Sequence, residues 1–153
     1  LSNKPNFATV ATSGSYADLT NKPTTLLATR DTVSVTTASL SNDASEDVQV
    51  LAYKSYAILK LQTSIAARVV IYTTTTARTS DSGRSQNTPF TPNTGVIADI
   101  ITTGNAPISI TPGILGFNND STVSTYMYLK IVNKSGQTNT VDVTFTLLKL
   151  EDW

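Results

Sequence analysis

The chain has 153 residues, 11 basic and 11 acidic side chains for a formal net charge of zero, and 39% apolar residues, which suits one domain with a core of its own. It contains neither Cys nor His, which excludes disulfide staples, thiolate and imidazole metal ligands, and Ser-His-Asp or Cys-His catalytic sets. The balanced, scattered charges offer no basic field to nucleic acid or anionic lipid, and no apolar stretch approaches the roughly 20 residues of a membrane helix, so neither nucleic-acid binding nor membrane insertion is expected.

The polar half is dominated by 27 Thr, 16 Ser and 11 Asn, against two Glu and one Met. Thr suits a pleated, half-exposed surface because its branched Cβ is stiff, while Ser and Asn favour turns. With no run at three- and four-residue spacing, the composition predicts an all-β protein without helices.

Residues 1–30 contain the pattern Leu-(Ser/Thr)-Asn-Lys-Pro twice, beginning at Leu1 and Leu19, and the chain opens inside a repeat rather than on Met. This suggests a piece of a longer repetitive protein. The apolar residues Leu1, Phe7, Val10, Tyr16 and Leu19 are too sparse to close a core within one chain, and Pro5, Gly14 and Pro23 read as turns. Such repeats need neighbours to bury their apolar side chains, so a fibrous shaft of several wrapped chains is one reading and a disordered linker is the other.

From residue 31 to 153 the texture changes to apolar runs bounded by turn residues, giving eight candidate strands. They span 32–40, 47–53, 56–63, 67–75, 95–102, 107–112, 124–133 and 139–151, with a long polar stretch from 76 to 94 as the largest interruption. The last two read as a hairpin around Ser135, Gly136 and Gln137. In the final strand Val141, Val143, Phe145 and Leu147 share one face, with Thr140, Asp142, Thr144 and Thr146 on the other. Leu148 and Leu150 fall out of phase, which suggests a bulge or an end buried by another chain. Eight short strands over about 120 residues predict an antiparallel β-sandwich, jelly-roll-like, with an immunoglobulin-type sandwich as the rival topology.

The phrase SGSYADLTNKP, carried by Ser13, Gly14, Ser15, Tyr16, Asp18, Leu19, Asn21, Lys22 and Pro23, resembles the repeats of tailed-bacteriophage tail fibres that precede a globular tip. Leu1, Asn3, Lys4 and Pro5 match the tail of an earlier copy. More loosely, SYAILKLQTSIAARVVIY, RTSDSGR and VTFTLLKLE are similar to a C-terminal module of fibre proteins from phages of marine cyanobacteria. The resemblance implies a shaft end over 1–30 and a tip domain over 31–153. It also implies a homotrimer joined to the rest of the fibre shaft, whose distal domain binds the host surface, often through glycans. It supplies no binding residues.

Candidate binding residues come from the residues themselves. Arg78, Asp81 and Arg84 cluster in the long polar stretch, followed by Gln86, Asn87 and Phe90; guanidinium forks and a carboxylate can hold sugar hydroxyls, and an aromatic ring offers a stacking face. The structural alternative is an internal Arg-Asp pair that pins the long loop to the sandwich. Tyr126 and Tyr128 share a strand face, and Tyr72 lies on the fourth strand. They would form either a lectin-like platform or packing at a sheet face or subunit interface. Trp153 is expected to dock against a neighbour. Asn118, Asn119, Asp120 and Ser121 could offer oxygens to calcium, yet a single carboxylate compensates the charge poorly and Asn-Asn-Asp is an ordinary turn. No metal and no cofactor are expected.

The function that follows is adhesion of a virion's tail fibre to a bacterial surface glycan or other host receptor, outside the cell. A purely architectural virion part, such as a collar, decoration or fibre-assembly domain, is the alternative. A depolymerising glycosidase would need paired carboxylates from among Asp81, Asp99, Asp120 and Asp142, whose spacing does not favour it, so no enzymatic activity is expected.

Overall fold

A computed structural model of the chain describes residue 14 and residues 29–151. The repeat, apart from Gly14, and Trp153 lie outside the described residues, as do the expectations placed on them. The described part contains eight strands and one short helix: β1 (Arg30–Thr36), β2 (Ser45–Leu51), β3 (Ser55–Thr63), β4 (Ala67–Tyr72), α1 (Thr75–Ser80), β5 (Val96–Thr102), β6 (Ile108–Phe117), β7 (Tyr126–Asn133) and β8 (Asp142–Glu151). All-β character and eight strands match the expectation from composition and alternation.

The strands form two four-stranded antiparallel sheets, ordered β1-β8-β3-β6 and β2-β7-β4-β5. Strands of the first half pair with those of the second in reverse order, β1 with β8, β2 with β7, β3 with β6 and β4 with β5. Pairing of β3 with β8 and of β4 with β7 then knits the ribbon into its two sheets. The expected hairpin of β7 and β8 is therefore corrected: the two strands belong to different sheets, and residues 134–141 cross between the layers. Asn133 holds that crossing, donating through Nδ2 to the Leu40 and Gln137 carbonyls (both 2.7 Å) and accepting from the Ser135 amide at 2.9 Å. Alternation reveals which face of a strand is wet, but its partner is chosen by long-range packing.

The core lies between the sheets, and on β8 it uses the face predicted from alternation. Tyr56, Ile58 and Leu61 of β3, Val69 and Ile71 of β4, Leu129 and Ile131 of β7, and Val143, Phe145 and Leu147 of β8 are all fully buried. Each such side chain contributes roughly 1.5–3 kcal/mol of transfer free energy. Leu148 keeps the alternation, paired with Ala57 on the outer face, and the bulge comes at Leu150: Tyr56 pairs with Lys149 and Ser55 with Glu151, which leaves Leu150 unpaired. On β6, Gly116 faces the core because Tyr56 leaves no room for a side chain; a Cβ there would lie 2.3 Å from the Tyr56 ring. Strand β6 also extends five residues beyond the expected end at 112, since Pro112 sits on an edge strand where its missing N–H breaks no inner ladder.

The second correction concerns the polar stretch. Thr73 to Thr75 were expected to continue the fourth strand, but Thr74 caps a helix, its Oγ1 accepting from the Ala77 amide at 3.0 Å. A Thr with extended backbone satisfies an otherwise orphaned N–H of the first turn. The helix ends at Asp81, whose own N–H reaches the Ala77 carbonyl.

Candidate functional site: the covered face and its exposed rim

The outward rows of the β2-β7-β4-β5 sheet follow from its register. Tyr72 stands beside Tyr128, Val70 between Lys130 and Asp99, and Arg68 between Val132 and Ile101. Residues 73–95 fold back over these rows. Val70, Tyr72 and Tyr128 are buried as a second, small apolar cluster closed by Ala77 and Val96. That is why β4 is buried on both faces, one against the core and one beneath the folded-back segment.

Arg68 and Asp99 fasten the segment. Arg68 donates through Nε and Nη2 to the two Asp99 carboxylate oxygens (2.9 and 2.8 Å), and through Nη1 and Nη2 to the Arg84 and Ser85 carbonyls (3.1 and 3.4 Å). Arg84 forks onto Asp81 through Nε and Nη2 (2.7 and 2.9 Å), while its Nη1 reaches Asp99 at 2.5 Å and the Thr88 carbonyl at 3.1 Å. Tyr72 donates its hydroxyl to Asp81 at 2.9 Å. Two guanidiniums and two carboxylates thus close on each other with no formal charge left over.

The electrostatics follow from that closure. Burial alone would raise both carboxyls, but the bonds from Arg84 and Tyr72 onto Asp81, and from Arg68 and Arg84 onto Asp99, outweigh it and hold both below the ordinary 3.8. The bond to Asp81 holds the Arg84 guanidinium above its usual value. Burial, then the bond to Asp81, push the Tyr72 hydroxyl up.

The sequence candidates divide three ways. Arg78, Asp81 and Arg84 are turned inward. Arg78 does not join the quartet: its Nη1 donates to the Val48 and Leu129 carbonyls (2.7 and 3.2 Å), its Nε lies 3.4 Å from Asp47, and its guanidinium stacks 5.8 Å from the Tyr128 ring centroid. Tyr128 is likewise buried and donates to Asp120, so Tyr126 and Tyr128 do not make an open pair; Tyr126 stays partly exposed beside Leu51. The third group is the exposed rim of Asn87 and Phe90.

Of the four residues weighed for calcium, Asn118 and Asp120 are engaged within their own loop and with Tyr128. Asn118 is buried and accepts from the Asp120 and Ser124 amides while donating to Asp120, Ser124 Oγ and the Tyr126 carbonyl. Of the four aspartates weighed as a catalytic pair, only Asp81 and Asp99 come together, bridged by Arg84. Asp142 stands on the other sheet and accepts from Thr36.

At the rim, Phe90 is 41% exposed, and the Arg84 guanidinium carbon lies 5.8 Å from its ring centroid. Ile101, 53% exposed on the edge strand β5, stands on the same side. With Gln86, Asn87, Thr88 and Pro89 these residues line a hollow of about 240 Å³. Gln86 Oε1 is buried and, among the described residues, has no hydrogen-bond partner. The hollow, which Asp99 also lines, therefore presents one aromatic ring held by a locked cation, the exposed Asn87, and charges that are balanced by the Arg68, Arg84 and Asp99 pairs. That chemistry suits stacking against a neutral polyhydroxylated ring more than capture of an anion.

No protein-family model matches this chain, and no curated protein matches it. Function therefore rests on residues and geometry.

Sequence reasoning missed Arg68 and the structural part played by Asp99. A signal was present in both: each is a lone charge inside an apolar strand run, ARVVIY and GVIADIIT. Charges buried at such positions must be paired, so the two could have been matched with each other.

Proposed function

We propose that the described domain is the distal, homotrimeric tip of a tail fibre that adheres to a bacterial surface through a neutral glycan. The fibre assignment, with its place on the virion outside the host cell, is supported by the resemblance of the repeat phrase. The adhesive role is carried by one observation, the half-open Phe90 ring held by Arg84 beside Asn87 and Ile101. The reverse-order strand pairing supports a jelly roll as the finer description of the sandwich, since that fold is a folded-over eight-stranded ribbon. A non-enzymatic reading is supported by Asp81 and Asp99: glycoside hydrolysis needs one carboxyl kept protonated near neutrality, whereas both of these are held low.

The test is labelled full-chain protein applied to host cells and to an array of neutral and acidic glycans. Binding to neutral features, lost in Phe90→Ala while melting is unchanged, is the expected result. An architectural virion part is the second reading, favoured by the inward commitment of Arg78, Asp81 and Arg84. Protein that labels no cells and does not compete with the phage for adsorption would decide for it.

A further inference from the structure

We infer that copies of this chain associate through the outer face of the β1-β8-β3-β6 sheet, at the end where residues 1–28 join it. The two sheets differ on their outsides. Residues 73–95 cover the β4-β7 centre of the β2-β7-β4-β5 sheet and leave Leu51, Tyr126 and Ile101 exposed at its margins, whereas no described element covers any part of the other sheet. Most of that bare face is a hydroxyl ladder suited to water: Thr32 pairs with Thr146, and Ser34 with Thr144, whose hydroxyl oxygens lie 3.0 Å apart. One end departs from this pattern. There Leu115, Ala57 and Leu148 form a continuous apolar row across β6, β3 and β8. Leu115 is 67% exposed and Phe117 48%, and Leu150 protrudes from the bulge nearby.

The row is forced outward by the core. Gly116 must face the Tyr56 ring, so alternation turns Leu115 and Phe117 to the opposite side. A contiguous apolar outcrop of this kind on an otherwise polar face marks a contact surface.

The occupant follows from where the chain enters. Arg30 is paired with Leu148, and the Lys149 amide donates to the Thr29 carbonyl at 3.0 Å, so residues 1–28 join the domain beside the apolar row. On the fibre reading proposed above, on which this inference rests, the repeats of several copies run side by side. Thr29 of each copy is then drawn to the shared axis, which brings the row at Leu148, Ala57 and Leu115 against that of its neighbour. A second copy of this chain is the partner that this geometry supplies.

The full 153-residue chain, which has no Cys, permits a direct test. Leu115→Cys is expected to form disulfide-linked dimers on mild oxidation, whereas Ile101→Cys, on the outer face of the other sheet, is not. In sedimentation velocity, Leu115→Asp is expected to weaken self-association by at least about tenfold, the order expected for one buried leucine contact, while Ile101→Asp leaves it unchanged. An oligomer that resists Leu115→Asp and does not cross-link at 115 would keep the fibre reading but overturn this face, as would equal cross-linking at both positions. A wild-type monomer at micromolar concentration would overturn the inference together with the trimer. Cross-linking specific to position 115 supports the face even if the protein binds no glycan.

Discussion

Replacing Asp99 by Ala probes what holds the folded-back segment in place. Asp99 accepts three charge-assisted bonds, two from Arg68 and one from Arg84, and the Arg68 side chain is only 6% exposed. Removing the carboxylate leaves Arg68 with carbonyl partners alone, while Arg84 keeps its fork onto Asp81. Breaking a buried pair from one side costs roughly 3–5 kcal/mol, and the surviving Asp81 contact places this case near the lower end, at about 3 kcal/mol. For a domain of this size that corresponds to a drop of about 10 °C in Tm, read by calorimetry or by circular dichroism. The double variant Arg68→Met, Asp99→Leu replaces the pair by apolar side chains and should recover most of the loss, because the desolvation penalty disappears along with the attraction. A decrease below about 3 °C for Asp99→Ala would refute the reasoning, as would a double variant no more stable than the single.

Other measurements test neighbouring parts of the structure. Gly116→Ala, with its Cβ 2.3 Å from the Tyr56 ring, is expected to cost at least about 1–3 kcal/mol by overpacking, and an unchanged melting curve would contradict the packing of Tyr56 on β6. Phe90→Ala should change stability by no more than about 0.5 kcal/mol, since the ring is half-open, whereas Arg84→Ala should unfold the segment and reduce binding indirectly. Burial raises the Tyr56 and Tyr72 hydroxyls above their ordinary 10.0, with the Asp81 bond adding to the effect at Tyr72. Their contribution is complete below pH 10 and is lost above it, as ionisation begins to favour the unfolded chain, so Tm should fall steadily between pH 10 and 11. In acid the sign reverses: the depressed Asp81 and Asp99 stabilise above the ordinary 3.8, and that contribution should decline as pH falls below it. A Tm that stays flat from pH 5 down to pH 2 would show that the quartet adds no stability.

Much of the fold was legible because β structure writes its burial into alternate residues. Val141, Val143, Phe145 and Leu147 were assigned to the core face from spacing alone, and all four are fully buried. The out-of-phase Leu150 marks a bulge, and six of the eight strands lie within three residues of their expected limits, β1 ending four residues earlier and β6 five residues later. The helix was missed because Thr73 to Thr76 carry the β-branched signature of a strand, while the capping role of Thr74 depends on an Ala77 amide that only a turn brings near. Of the candidate site, the polar cluster is legible, and the structure takes the internal reading of it, with Arg84 paired to Asp81. Arg84 and Phe90 are close in sequence, yet one is locked inward and the other half-open.

By itself, then, the amino-acid sequence determined the all-β class, the approximate strand positions and the inward face of the last strand, because each depends on residues a few positions apart. Tertiary structure alone decided that β7 leaves β8 for the opposite sheet, that Arg68 and Asp99 meet across neighbouring strands, and that residues 73–95 lie over β4. It also decided that no described residue covers Leu115. Those outcomes depend on pairing residues tens of positions apart, where the free energy of closing one arrangement rather than another comes from the whole packed core and not from any local pattern.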